Sequence, residues 1–146
     1  MRLRTSIAAA GAAVALAGAG AILLPAVASA HSTTHTLKFT AISLKGANFS
    51  STDSGQAEQD VNSAGKTIGF DVANFAFNPA TNTATGRVAL TTKGGFLYGK
   101  IKTTNGSVIH GVVTGGTGVF RGATGTIVAS NPTNGPKTAV TITYSN

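Results

Sequence analysis

The sequence predicts an all-β domain, an antiparallel up-and-down barrel of seven or eight strands. Three observations carry that prediction. No stretch after residue 30 has a helical period of useful length. Short segments rich in Val, Ile, Thr and Phe are instead separated by Gly, Asn, Ser and Pro, as strands are separated by turns. All connections but one are short, which is the spacing of consecutive hairpins. A two-sheet sandwich is the alternative architecture.

Thr36 to Leu44 is the first strand. Residues 46–65 are polar, carry Asp53, Glu58 and Asp60, and read as a long loop with at most a short edge strand. Thr67 to Phe77 is the next strand. Its apolar positions begin at Ile68, Phe70 and Val72 and then change parity to Ala73, Phe75 and Phe77, which implies a bulge or a strand covered on both faces. A turn at 78–82 leads to Thr83 to Thr92, whose alternation puts Ala84, Gly86, Val88 and Leu90 on one face. Phe96 to Thr103 and Ser107 to Val113 are joined by a Thr104-Asn105-Gly106 hairpin turn. Gly125 to Ser130 and Lys137 to Tyr144 complete the set, with Val140, Ile142 and Tyr144 facing one way.

The first thirty residues read as an export signal. Arg2 and Arg4 precede an Ala-rich apolar run from Ile7 to Leu24, then Pro25 and the small-residue pattern Ala28-Ser29-Ala30. Cleavage after Ala30 would leave a secreted domain of residues 31–146. The alternative is an uncleaved membrane anchor. The chain has no Cys, so an exported domain would draw its stability from burial and backbone pairing alone. Eleven Lys and Arg, less Arg2 and Arg4, leave nine against four acidic residues. These cations are scattered and lack interleaved aromatics, which argues against nucleic acid and for loose adsorption to anionic cell-surface polymers. Homo-oligomerisation stays open.

Val113-Thr114-Gly115-Gly116-Thr117-Gly118, followed by Phe120, Gly122 and Gly125, resembles the glycine signature of the allene oxide cyclase and dirigent barrels. The resemblance runs in order over roughly residues 36–144 and is specific only over 112–130. It implies a barrel in which the signature precedes a further strand and a small apolar or phenolic molecule occupies the interior. Two departures weigh against direct transfer of either activity. The first strand, Leu37 to Ser43, lacks the carboxylate of the cyclases, and Ala123-Thr124-Gly125 lacks the arginine of the dirigent triplet. On the residues alone, Gly116 and Gly118 supply positive φ where the chain reverses, and Thr117 bonds to nearby backbone. A phosphate-cradling loop is disfavoured, because Arg121 stands where a third glycine is wanted and no helix follows.

An eight-strand barrel is wide enough to be filled by side chains or to hold one small ligand. Gly69, Ala73, Gly86, Gly99 and Gly111 would leave room if they face inward, or would relieve crowding where strands bend. Asp71 stands among Phe70, Val72, Phe75 and Phe77, where burial would raise its pKa and suit it to acid–base work. Asp71 and Tyr98 are therefore the catalytic candidates. Phe70, Asn74, Phe75 and Phe96 are the ligand-binding candidates, with Phe120 closing one end. His110 is isolated, and His31 with His35 makes at best an adventitious metal site, so neither a metal nor a cofactor is expected. Three functions follow: a barrel that binds or steers a small apolar molecule, a cyclase or isomerase, or a structural surface protein with a filled interior. An inward, buried Asp71 would favour the second over the first.

Overall fold

A computed structural model describes residues 32–104, 106, 108–131 and 135–146. The export segment, His31 and Asn105 of the hairpin lie outside the described residues. Eight strands run in chain order: β1 (Thr34–Asn48), β2 (Asp53–Val61), β3 (Thr67–Asn78), β4 (Thr83–Thr92), β5 (Gly95–Thr104), β6 (Val108–Gly116), β7 (Thr124–Ser130) and β8 (Lys137–Ser145). Each pairs antiparallel with the next, and β1 pairs with β8 to close the barrel, Leu37 standing opposite Ile142. One 3₁₀ turn, Gly118–Phe120, joins β6 to β7, and there is no α-helix among the described residues.

The largest departure from the sequence reading is β2. Residues 46–65 are not a loop: β1 continues to Asn48, a tight turn follows, and nine residues then form a full barrel strand. Ser50 makes the turn, its Oγ donating to Asp53 Oδ2 at 2.6 Å and accepting from the Asp53 N–H at 2.9 Å. The strand escapes a hydropathy reading because its inward residues are polar. Gln56, Glu58 and Asp60 alternate with Ala57, Gln59 and Val61, a period of two written in hydrophilic letters.

β3 has one irregularity, at its start, where Ile68 is an extra residue between the Asp60–Gly69 and Val61–Thr67 pairs, and neither a bulge nor double cover accompanies the parity change at Val72 and Ala73. Its ladder with β4 runs unbroken from Gly69 opposite Thr92 to Asn78 opposite Thr83. The early apolar residues Phe70 and Val72 are on the outer face, 47% and 53% exposed, while Asp71 and Ala73 face inward and are buried. The interior core is built from Phe39, Leu90, Leu97, Ile101, Ile127 and Ile142. Gly99 also faces inward, and Ile127 Cδ1 lies 2.4 Å from where its Cβ would stand, so this glycine relieves crowding and opens no space.

The signature stretch closes one end. Phe120 is buried and meets Tyr144 edge-on at 5.4 Å. Gly118 takes the expected positive φ of 61°. Gly116 does not, and is required for room: a Cβ there would stand 2.4 Å from the Phe96 carbonyl oxygen and 2.6 Å from Phe120 Cβ. Thr117 ties the connection to β5 while its carbonyl accepts locally from the Phe120 N–H at 3.1 Å. Its N–H donates to the Phe96 carbonyl at 2.8 Å, and its Oγ1 accepts from the Phe96 N–H at 3.1 Å.

Candidate active site

The connections β1–β2, β3–β4, β5–β6 and β7–β8 lie at one end of the barrel, and the plug at Phe120 lies at the other. A cavity of about 220 Å³ occupies the interior, with Gly106, Asn131 and Thr138 lining it at the loop end. Most of its wall is aliphatic and comes from β4, β5, β7 and β8, including Leu90, Leu97, Ile101, Ile127 and Ile142. The polar exception is a strip on β2 and β3. Gln56, Glu58 and Asp71 line the cavity there, and Asp60 lies beyond Glu58, toward the plugged end.

Strand register brings the carboxyls together. Glu58 stands directly opposite Asp71, and Asp60 opposite Gly69 two residues along. All three are buried. Gln56 Nε2 donates to Glu58 Oε1 at 2.5 Å. Asp60 is completely buried, and no amide, hydroxyl or amine donor reaches either of its carboxyl oxygens. The register explains why: its neighbours across the two ladders are Ala41 and Gly69, which carry no donor. Asp71 is the polar group within reach of Asp60, and a proton kept by Asp71 is donated to the Asp60 carboxylate.

Burial is the main cause of a common upward pKa shift. It raises Glu58 to about 7, with the adjacent Asp71 charge adding to the rise and the Gln56 amide opposing it. Asp71 is raised to about 7 by burial and then by the Asp60 charge. Asp60 is raised to about 6, again by burial first. Like charges this close cannot all ionise cheaply, so the group retains protons near neutrality. A carboxyl pair poised there can give a proton at one oxygen and take one at another.

Of the residues singled out from the sequence, Asp71 and Phe75 line the cavity. Phe120 faces inward but belongs to the plug. Four others need correction, because β3 and β5 present them to the outside. Phe70 is 47% and Phe96 46% exposed. Asn74 is exposed and borders an outer groove with Arg87 and Lys100. Tyr98 borders the cavity in the chain between Leu97 and Gly99, but it is 40% exposed and its ring stacks on Phe96 at 6.2 Å. Alternation is the reason: Leu97 and Ile101 take the inward positions of β5, which turns the aromatic residues of that strand outward. Glu58 and Asp60 were missed because a polar strand looks like a loop. Their two-residue spacing after Gln56 was the available signal.

No protein-family model matches the sequence, and no curated protein matches it. Solved structures do match in fold. A pyocyanin demethylase superposes with a TM-score of 0.63 at 16% identity, over 75% of this chain and 99% of the other. The exo-specific intermolecular Diels–Alderase AbnU gives 0.65 at 10% identity, over 78% of this chain and 99% of the other. A pterocarpan synthase dirigent protein gives 0.57 at 16% identity, over 79% and 89%. The chain has the dirigent- and cyclase-like barrel fold.

Proposed function

We propose that the barrel holds a small molecule with an apolar body and one polar group, and that its carboxyls move a proton within that molecule to isomerise it or close a ring. One observation carries the reading: Asp71 and Glu58 stand side by side in a cavity whose wall is mostly aliphatic. The polar group lies against the pair and the body against Leu90, Leu97 and Ile127. The cavity volume suits roughly a dozen non-hydrogen atoms at protein packing density. The protonated member of the pair donates to the ligand's polar atom while the ionised member takes a proton from a neighbouring carbon. The pair ends with one proton, as it began, and the ligand keeps its formula. Confinement in a fixed pose supplies the rest. The occurrence of this fold in a Diels–Alderase and in a pterocarpan synthase dirigent protein supports small-molecule chemistry in the barrel.

Binding or steering without turnover is the second reading, favoured by the absence of a first-strand carboxylate between Leu37 and Ser43. A filled structural barrel is disfavoured by the cavity. Asp71→Asn separates the two remaining readings, because it keeps shape and removes the acid. Small oxygenated apolar molecules incubated with the protein in deuterated water should show isomers of unchanged formula carrying solvent deuterium. In the variant that turnover should fall by about 10²–10⁴ while retention of the ligand changes little. Retention without deuterium incorporation in the wild type would leave binding or steering alone. We further propose export with cleavage after Ala30, which an intact mass beginning at His31 would support and a membrane-bound species retaining Met1 would refute.

A further inference from the structure

We propose that the outer face of β4 and β5, around Arg87, Lys100 and Lys102, is a docking surface for an acidic polysaccharide. The face lies outside the barrel, so docking there does not depend on the cavity being a reaction site. The first ground is the way the fold sorts charge. Of the four acidic residues in the chain, Glu58, Asp60 and Asp71 are buried together in the interior. All nine Lys and Arg after Ala30 are exposed. Asp53 is therefore the one acidic side chain left outside to offset them, and such a surface attracts polyanions.

Register then gathers three cations that are apart in sequence. Arg87 on β4 stands directly opposite Lys100 on β5, and Lys102 is the next outward residue along β5. Like charges facing each other across a ladder oppose its formation. Asp53 is held within its own turn, where its carboxylate accepts from the Ser50 and Thr52 hydroxyls at 2.6 and 3.1 Å. An anion lying between Arg87 and Lys100 would turn their repulsion into attraction. The other six cations are spread over β1, β8 and three turns. Open grooves of about 760 and 410 Å³ lie on either side of the row Asn74, Arg87 and Lys100, and a third holds Lys100, Lys102 and His110. That arrangement suits an extended chain better than a single small anion.

The neutral groups beside the cations select among polyanions. Asn74 stands opposite Arg87 and Thr85 opposite Lys102, which sets an amide and a hydroxyl among the charges, where they can bond to sugar hydroxyls. Nucleic acid fits less well. Phe96 and Tyr98, the outward aromatics of β5, stack on each other at 6.2 Å with planes 9° apart, so their facing sides are not free to receive bases.

Affinity electrophoresis of the full chain at low ionic strength tests this with polygalacturonate, poly-L-glutamate, a single-stranded oligothymidylate and neutral dextran. Polygalacturonate should bind most tightly and dextran should not bind. Lys100→Gln combined with Lys102→Gln should weaken polygalacturonate binding by about tenfold. Lys66→Gln combined with Lys137→Gln removes the same charge elsewhere and should weaken it by less than about twofold. Equal losses in the two double variants would overturn the site and leave adsorption by net charge. Tighter binding of poly-L-glutamate or of the oligothymidylate would overturn the polysaccharide in favour of an acidic protein or a nucleic acid. No retention by any polyanion would overturn both surface and partner. All four lysines are exposed, and an unchanged denaturation midpoint checks that each variant folds. The ranking of probes on the wild type decides the partner even if a variant fails to fold.

Discussion

Leu97 and Asp60 are the two largest side chains with almost no exposure, and they occupy walls of opposite character in one barrel. Leu97 on β5 packs in the aliphatic wall with Leu90, Ile101 and Ile127. Asp60 on β2 is equally dry, and its only neighbour for hydrogen bonding among the described residues is another carboxyl, Asp71. The first wall holds the fold together by burying apolar surface. The second works against it, since a buried carboxyl with no basic partner destabilises the native state or must keep its proton. A strip that opposes folding marks where the molecule gives up stability for chemistry.

The largest expected effect is on the aliphatic wall. Leu97→Ala should destabilise the barrel by about 2–5 kcal/mol, through lost burial and the hole left behind. Chemical denaturation checks it, and an unchanged midpoint would show that the wall is not the supporting one.

The carboxyl strip should respond to pH in the opposite sense to ordinary surface acids. Folded, Glu58, Asp60 and Asp71 keep their protons up to about pH 6–7, whereas in the unfolded chain Glu loses its proton near 4.5 and Asp near 3.8. Unfolding between those limits releases protons, so raising the pH favours the unfolded chain. The stabilisation should be fully present below about pH 4 and lost as pH rises through 6 to 7. The difference between pH 4 and pH 8 should be on the order of a few kcal/mol. A denaturation midpoint that climbs steadily from pH 4 to pH 8 would contradict the raised pKa values.

The smallest effect isolates Asp60. Asp60→Asn should stabilise the protein by about 1–3 kcal/mol at pH 8, where the wild-type carboxyl is ionised, and should do little at pH 4. Equal gains at both pH values would mean that shape, not charge, sets the cost at this position.

The two walls also differed in how far they could be read from the sequence. Thr83 to Thr92 alternates in apolar residues, and its bounds and inward face follow from that pattern alone. β2 alternates just as regularly, but in Gln56, Glu58 and Asp60, and polarity in sequence does not distinguish a loop from a strand facing a polar interior. Asp71 was identified from its aromatic neighbours, yet of the aromatic residues assigned to the ligand only Phe75 lines the cavity. Phe70, Phe96 and Tyr98 are on the outer face, because hydrophobicity suggests burial without choosing which face of a closed sheet is the inner one. That choice depends on register, which requires both partner strands.

The seam between β1 and β8 has a consequence for the order of events in folding. Thr34 and Ser145, whose hydroxyls meet across it, are 111 residues apart in the chain. No hairpin can substitute for that pairing, so the sheet keeps two raw edges until the final strand is synthesised. A polypeptide emerging from its N-terminus onward cannot lock itself shut early, and it stays open to being threaded through a narrow passage. Once β8 arrives, the edges pair along residues 34–42 and 137–145 in one step, and the slow search typical of such distant pairings ends in a closed cylinder.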